Sequence, residues 1–146
     1  MKITNKPTTR AVLYWTAVII FCLLMLMDGM AGVLRVEKGQ EGMRHLGYPI
    51  YAMSIFGIAK IIGAVVLLQN KFQTVKEWAY AGFAINFIGA FASRAFAGDG
   101  IGLLSMPLVM LLVLFLVYFL WKKYTKIPMA RQGWEAPAVQ TPMTNA

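Results

Sequence analysis

Three ionisable side chains lie inside or at the edge of long apolar stretches of this sequence, where a charge is costly and is a functional candidate by default. They are Asp28, Lys60 and Arg94. Asp28 and Arg94 each fall near the same end of their apolar stretch, within about 5 Å of the interface at the rise of an α-helix. We therefore predict a bidentate ion pair between them. The alternative is that each side chain extends separately to the lipid head groups.

Lys60 lies deeper, about 12 Å from the nearer end of its stretch at the same helical rise. Its stem is too short to reach the head groups easily, so its ammonium is expected to point into the protein. Asn86 lies at a matching depth in the next stretch and offers a carbonyl oxygen. One interpretation is a structural hydrogen bond between the two residues. The other is a site for an anionic or carbonyl-bearing small molecule.

Small and polar residues recur at steps of three and four along two of the stretches. One stripe consists of Ala79, Gly82, Asn86, Gly89 and Ser93, and a shorter one of Gly57, Lys60 and Ala64. Such stripes let helix backbones approach closely, so packing is the favoured interpretation for both. The alternative is a narrow cavity beside Lys60. Asp28, Lys60, Asn86, Ser93 and Arg94 together form the candidate polar site within the membrane.

Several kinds of site are not expected, because the chain has one histidine and one cysteine. His45 alone cannot give bis-histidine haem ligation, and Cys22 alone cannot form an internal disulfide or a redox pair. We find no zinc spacing and no glycine-rich phosphate loop, and we predict no catalytic residues and no metal site. His45 is interpreted as an interfacial residue, with a proton or ligand role as the alternative.

The elements that carry these residues are four apolar segments of about 20 residues, the length that crosses a bilayer as an α-helix. They span residues 11–30, 49–68, 78–97 and 101–121. The chain is 59% hydrophobic and only 14% charged, which excludes an ordinary soluble domain. Short connections favour antiparallel neighbours, so we predict an all-α integral membrane protein, an up-down four-helix bundle.

The charges around these segments predict the orientation. Nine Lys and Arg residues fall on the side of both termini and four on the opposite side, which places the termini in the cytoplasm. The predicted organisation is a cytoplasmic segment over residues 1–10, a membrane domain over 11–121 and a basic, disordered tail over 122–146. A cleaved signal peptide is the alternative for the first segment, but its apolar run is long and Asp28 interrupts the cleavage pattern.

Two motifs at segment ends carry a resemblance to a known family. His45-Leu46-Gly47-Tyr48-Pro49 opens the second segment, followed by Gly57, Lys60 and Gly63-Ala64, and Lys76-Glu77-Trp78-Ala79-Tyr80-Ala81-Gly82-Phe83 opens the third, followed by Gly89-Ala90 and Ser93. With these motifs the chain resembles the DoxX-like family of small four-helix bacterial membrane proteins from about residue 14 to 121. His45, Tyr48, Glu77 and Trp78 are its interfacial motif. A histidine often follows the serine that matches Ser93 in the family, and Arg94 stands there in this chain.

The resemblance implies a bacterial inner-membrane protein, and the family name derives from a subunit of an archaeal thiosulfate:quinone oxidoreductase. We therefore expect a non-catalytic accessory or small-molecule-binding subunit, with a quinone as its possible ligand. The alternatives are a quinone-dependent oxidoreductase and a small transporter or channel. Expected partners are the lipid bilayer and either another membrane or redox subunit or a second copy. Nucleic acid is not expected, because the basic residues bracket apolar segments.

Overall fold

The computed structural model describes residues 9–131 of the 146-residue chain, and within that range every regular element is a helix. The five helices run in chain order as α1 Thr9–Val33, α2 Glu37–His45, α3 Ile50–Leu68, α4 Gln73–Phe96 and α5 Ile101–Arg131. The all-α prediction is confirmed for this part of the chain. Residues 1–8 and 132–146, which include most of the predicted tail, lie outside the described residues.

Three of the described helices are long and apolar enough to cross a membrane: α1, α3 and the part of α5 from Ile101 to Thr125. α4 has the required length, but Asn86, Ser93 and Arg94 make it more polar. These three helices indicate a membrane protein. A fourth crossing, by residues 78–97, stays a prediction.

Two helix boundaries differ from the sequence prediction. α4 begins at Gln73, five residues before the predicted start at residue 78, and α5 continues beyond residue 121 to Arg131. The Gln69 side chain explains the tight turn before α4, because its amide donates to the Phe72 carbonyl (2.9 Å) and accepts from the Phe72 N–H (2.8 Å). Residues 73–77, which precede the predicted third segment, thus form the first turn of α4.

The short helix α2 was not predicted, although its charges suit a helix. Glu37 lies in its first turn, and Arg44 and His45 lie in its last, as the helix dipole favours. It ends in a Schellman motif: Gly47, with a φ of 76°, donates to the Arg44 carbonyl, and Tyr48 donates to the Met43 carbonyl. α2 contributes no buried residue, and its main packing partner among the helices is α3.

The end of α4 repeats this motif. Gly98, with a φ of 73°, donates to the Ala95 carbonyl at 3.2 Å, and Asp99 donates to the Arg94 carbonyl at 3.1 Å. Only glycine adopts this left-handed conformation without steric cost, so both glycines terminate their helices and reverse the chain. The reversal brings Asp99 back over the last turn of α4.

The closest helix crossing joins α1 to α3 through three glycines. A Cβ on Gly57 would lie 2.6 Å from the Gly29 carbonyl oxygen, and a Cβ on Gly32 would lie 2.9 Å from the Met53 carbonyl oxygen. The packing role predicted for Gly57 is therefore observed, with α1 as the partner. The same prediction is wrong for Gly82 and Gly89 of α4, where an added Cβ would meet no atom within 4 Å.

The hydrophobic core lies between α1, α3, α4 and α5 and is richest in aromatic residues towards the turn between α3 and α4. We call this end of the molecule the Lys76 end and the opposite end, which carries α2, the α2 end. Tyr80 stacks on Trp121 with ring centroids 5.4 Å apart, and Phe21 meets Phe83 edge to face at 5.4 Å. This dense core holds the helices together, while the α2 end is more open.

Candidate functional site

The central feature of the site is an ion pair between α1 and α3. Lys60 Nζ donates to Asp28 Oδ2. Lys60 lies ten residues from the start of α3 and eight from its end, or about 15 and 12 Å at the rise of a helix. The side chains of Lys60 and Asp28 are 22% and 54% exposed, respectively, so the carboxylate faces open space and the lysine lies partly within the protein.

The helix crossing explains this pairing. Asp28 precedes Gly29, and Lys60 lies one turn after Gly57, so the glycine contact brings the two side chains to the same place. The ion pair predicted between Asp28 and Arg94 is wrong. Arg94 Nη1 donates instead to Asp99 Oδ2 at 3.0 Å, because the Schellman motif returns Asp99 to the turn that carries Arg94.

A cavity of about 700 Å³ opens beside the ion pair towards the α2 end. Its lining brings together all five residues of the predicted polar site: Asp28, Lys60, Asn86, Ser93 and Arg94. Gly82 and Gly89 also line it, and their missing side chains leave the space open. Lys60 and Asn86 thus face one cavity, although no hydrogen bond joins them within the described part of the chain.

The lining of this cavity offers hydrogen-bond donors that suit acceptor oxygens. An ammonium carries three donors, and one of those of Lys60 is used by Asp28. The amide of Asn86 makes no hydrogen bond with the described residues, so its two donors and its acceptor also remain free. A carbonyl or carboxylate group that enters the cavity would therefore find unused donors on both side chains.

Helix α2 covers part of this cavity and is fastened to α4 and the turn after it. The His45 Nε2 and the Asp99 Oδ1 lie 2.6 Å apart, and the Tyr48 hydroxyl and the Ser93 Oγ lie 2.7 Å apart. Ser93 uses its hydroxyl hydrogen on the Gly89 carbonyl at 2.8 Å, so Tyr48 is the donor to Ser93. These two contacts connect the motif that begins at His45 with the end of α4.

Asp99 is the centre of the first of these contacts. Its side chain is 5% exposed and accepts from both His45 and Arg94. The hydrogen bond from His45, followed by the one from Arg94, holds the pKa of this carboxyl below its usual value. Asp99 is not among the predicted site residues, because the sequence gives no sign that the turn after α4 folds back onto α2.

Glu77 and Trp78, which the sequence groups with His45 and Tyr48, lie at the other end of the molecule. Glu77 forms an ion pair with Lys122 of α5. Trp78 is 72% exposed and lines a second cavity between α3 and α4. The interfacial motif thus consists of two separate parts, one at each end of α4.

Lys76 precedes the predicted third segment, which starts at residue 78, and is fully buried in the first turn of α4. Its ammonium donates to the Tyr14 hydroxyl at 2.7 Å, the Asn70 Oδ1 at 3.0 Å and the Gln69 carbonyl at 3.1 Å. It also lies 5.6 Å from the centre of the Trp121 ring. Three acceptors satisfy its three donors, so Lys76 joins α1, α4 and α5 and leaves no donor for a ligand.

Comparison with known proteins places the chain in one family. The sequence model of the DoxX-like family matches residues 16–117, a range that includes Asp28, Lys60, Asn86 and both motifs. No curated protein and no solved structure matches the chain. The three apolar helices agree with the family match, and the chain is a membrane protein that belongs to the DoxX-like family.

Proposed function

We propose that this protein is a non-catalytic, small-molecule-binding subunit of the bacterial inner membrane. In this proposal α1, α3, α4 and α5 form an up-down four-helix bundle with both termini in the cytoplasm. The excess of basic residues on the side of the termini supports that orientation. The α2 end then faces the periplasm. A reporter fused after Gly39 should report a periplasmic location, and one fused after Asn70 a cytoplasmic location. The reverse pattern would refute the proposed topology.

The observation that carries the binding proposal is the Lys60–Asp28 pair on the wall of the 700 Å³ cavity. Lys60 lies far from both ends of α3, where a charge is expensive in a bilayer, and here the ammonium has an acidic partner and a cavity beside it. The cavity size lies within the range of small-molecule sites, about 300–1,000 Å³. The ligand class that fits is a molecule with carbonyl or carboxylate oxygens, and a quinone is one member of that class.

Ligand binding can be tested with variants that fill the cavity without disturbing the helices. Gly89 lines the cavity, and an added side chain there meets no atom within 4 Å, so Gly89→Leu should fold and occlude the site. Gly102→Leu is the matched control, since Gly102 is equally unhindered and lies outside the cavity lining. Lys60→Met removes the ammonium and keeps the length of the stem.

The measurement is mass spectrometry of small molecules that co-purify with each variant in mild detergent. We expect one stoichiometric small molecule with the wild-type protein and with Gly102→Leu, and at least a tenfold loss, or ~1.4 kcal/mol, with Gly89→Leu and Lys60→Met. Equal recovery from all four proteins would contradict the proposal, as would a wild-type protein that carries no such molecule.

A further inference from the structure

The second cavity has a volume of about 430 Å³ and lies in the seam between α3 and α4. Its lining is almost entirely apolar beyond Lys60 and Asn86: Phe56, Ala59, Ile62, Gly63, Val66, Val75, Trp78, Ala79, Gly82 and Phe83. Ile62 is 59% exposed and Trp78 is 72% exposed, so the rim of the cavity belongs to the surface that faces the hydrocarbon of the bilayer. The cavity is therefore accessible from the membrane interior.

The floor of this cavity is closed by one contact between the two helices. The Phe83 ring lies against Gly63, where an added Cβ would be 2.8 Å from a ring carbon. Phe83 is itself buried and belongs to the core. The seam is thus a slot with the Phe83 ring at its floor and two apolar walls, and its rim lies on the lipid-facing surface.

The two cavities adjoin each other. Four residues line both of them: Phe56, Lys60, Gly82 and Asn86. Gly82 contributes no side chain at this boundary, and nothing lies within 4 Å of its missing Cβ. A molecule bound with its polar end at Lys60 and Asn86 would therefore place an attached chain in the slot.

The depth of Lys60 restricts the polar end to a small group. Lys60 lies about 12 Å or more from both ends of α3, which is well below the depth of phospholipid head groups in a core of roughly 30 Å. A carboxyl group is small enough to be drawn to that depth by an ammonium and an amide, whereas a phosphoglycerol head is held at the interface.

We infer that the slot between α3 and α4 binds the hydrocarbon chain of a single-chain amphiphile of the long-chain fatty acid class. Its carboxyl end accepts hydrogen bonds from Lys60 and Asn86. This inference rests on the proposed function, since it assigns the chain of a ligand whose polar end occupies the first cavity. It adds that the ligand enters sideways from the bilayer and not from water.

The test uses the full-length protein in zwitterionic phospholipid nanodiscs with a palmitate that carries a photoactivatable diazirine in mid-chain. After irradiation, mass spectrometry locates the labelled residues. We expect labelling to concentrate on the walls of the slot, to saturate with probe concentration and to fall when unlabelled palmitate is added. Exposed residues on the lipid faces of other helices, such as Leu13 of α1 and Phe119 of α5, report the background.

Two matched variants sharpen the test. Ala59→Phe fills the slot from α3, and Ala81→Phe places the same side chain on an exposed position of α4 outside both cavity linings. We expect Ala59→Phe to reduce saturable labelling by roughly tenfold, or ~1.4 kcal/mol, and Ala81→Phe to leave it within twofold. If Ala59→Phe does not fold, competition by palmitate in the wild-type protein decides the question.

Labelling that is even over all lipid-facing helices, or that palmitate does not reduce, would overturn the inference. So would selective labelling by a diazirine phospholipid and not by the palmitate probe, which would assign the slot to ordinary bilayer lipid. Either result leaves the proposed function standing if a small molecule still co-purifies with the wild-type protein and is lost from Gly89→Leu. If no small molecule co-purifies with the wild-type protein either, the proposed function and the inference about the slot both fail.

Discussion

Glycines that look alike in the sequence should respond in opposite ways to the same substitution. Gly57 and Gly82 both fall in stripes of small residues, and both lie in the middle of a helix. At Gly57 a Cβ would lie 2.6 Å from the Gly29 carbonyl oxygen and 2.9 Å from the Val33 nitrogen. At Gly82 it would meet nothing within 4 Å. We therefore predict that Gly57→Ala destabilises the fold and that Gly82→Ala does not.

The magnitudes follow from two opposing terms. Replacing a helical glycine with alanine gains about 1 kcal/mol of helix propensity at either site. Overpacking costs about 1–3 kcal/mol, and the upper end applies to Gly57, because both opposing atoms are backbone and cannot rotate away. The expected net effects are a loss of about 2 kcal/mol for Gly57→Ala and a gain of at most about 1 kcal/mol for Gly82→Ala.

Reversible unfolding in mixed micelles, followed by helical circular dichroism during a titration with SDS, measures these differences. Gly102→Ala is the control for propensity alone, since its added Cβ also meets nothing within 4 Å. If Gly82→Ala loses as much stability as Gly57→Ala, the face of α4 that carries Gly82 is packed against another helix, and the reasoning that places an open cavity there fails.

Three further experiments test the polar contacts. In a double-mutant cycle, Asp28→Asn and Lys60→Met should each lower the free energy of unfolding. The double variant should lose about 1 kcal/mol less than the sum of the two single losses. Strict additivity would mean that the ion pair contributes nothing to stability. The folded-state pKa of Asp99 is depressed, so the stability that this carboxylate contributes is present above its unfolded pKa near 3.8 and is lost as the pH falls through the folded pKa. Melting temperatures between about pH 6 and pH 3 should therefore decline more steeply for the wild-type protein than for Asp99→Asn. Parallel curves would refute this prediction. Tyr14→Phe removes one acceptor of the Lys76 ammonium and should lower the free energy of unfolding by ~1.5–3 kcal/mol in the same assay. Tyr124→Phe removes the hydroxyl from the ring that stacks on Tyr14 and should change the stability little. Equal effects would count against the hydrogen bond to Lys76.

The membrane helices were predictable from the sequence, because an apolar run of about 20 residues has the length and composition of a bilayer-spanning helix and is too long for a strand. The five residues that the sequence grouped as a candidate polar site line one cavity, since the depth of Lys60 left only the protein interior for its ammonium. The partners were harder to predict. Asp28 and Arg94 fall at similar distances from the same interface in the sequence, which suggested that they pair. Nothing in the sequence pattern indicated that a Schellman motif would return Asp99 to Arg94.

The glycines were misread for a related reason. A stripe of small residues predicts that a helix face is narrow, but it does not say whether another backbone fills the space. On α3 the partner is α1, and its own Gly29 and Gly32 complete the crossing. On α4 the space stays open and becomes the cavity. Only the positions of the neighbouring helices distinguish the two cases, and those depend on contacts distributed along the whole chain.

Lys60 of α3 and Lys76 of α4 show how an ammonium with every donor engaged differs from one whose donors are only partly used. Lys76 has three neutral oxygens within 3.1 Å and aromatic rings around it, so every donor is engaged and no space is left. Lys60 has one partner, Asp28, and a cavity on its remaining side. A buried ammonium needs several acceptors to offset its lost hydration. At Lys76 the fold supplies them all, whereas at Lys60 it leaves positions that a ligand oxygen can fill. That difference in unsatisfied donors, more than burial or charge, is why we propose the binding site at Lys60.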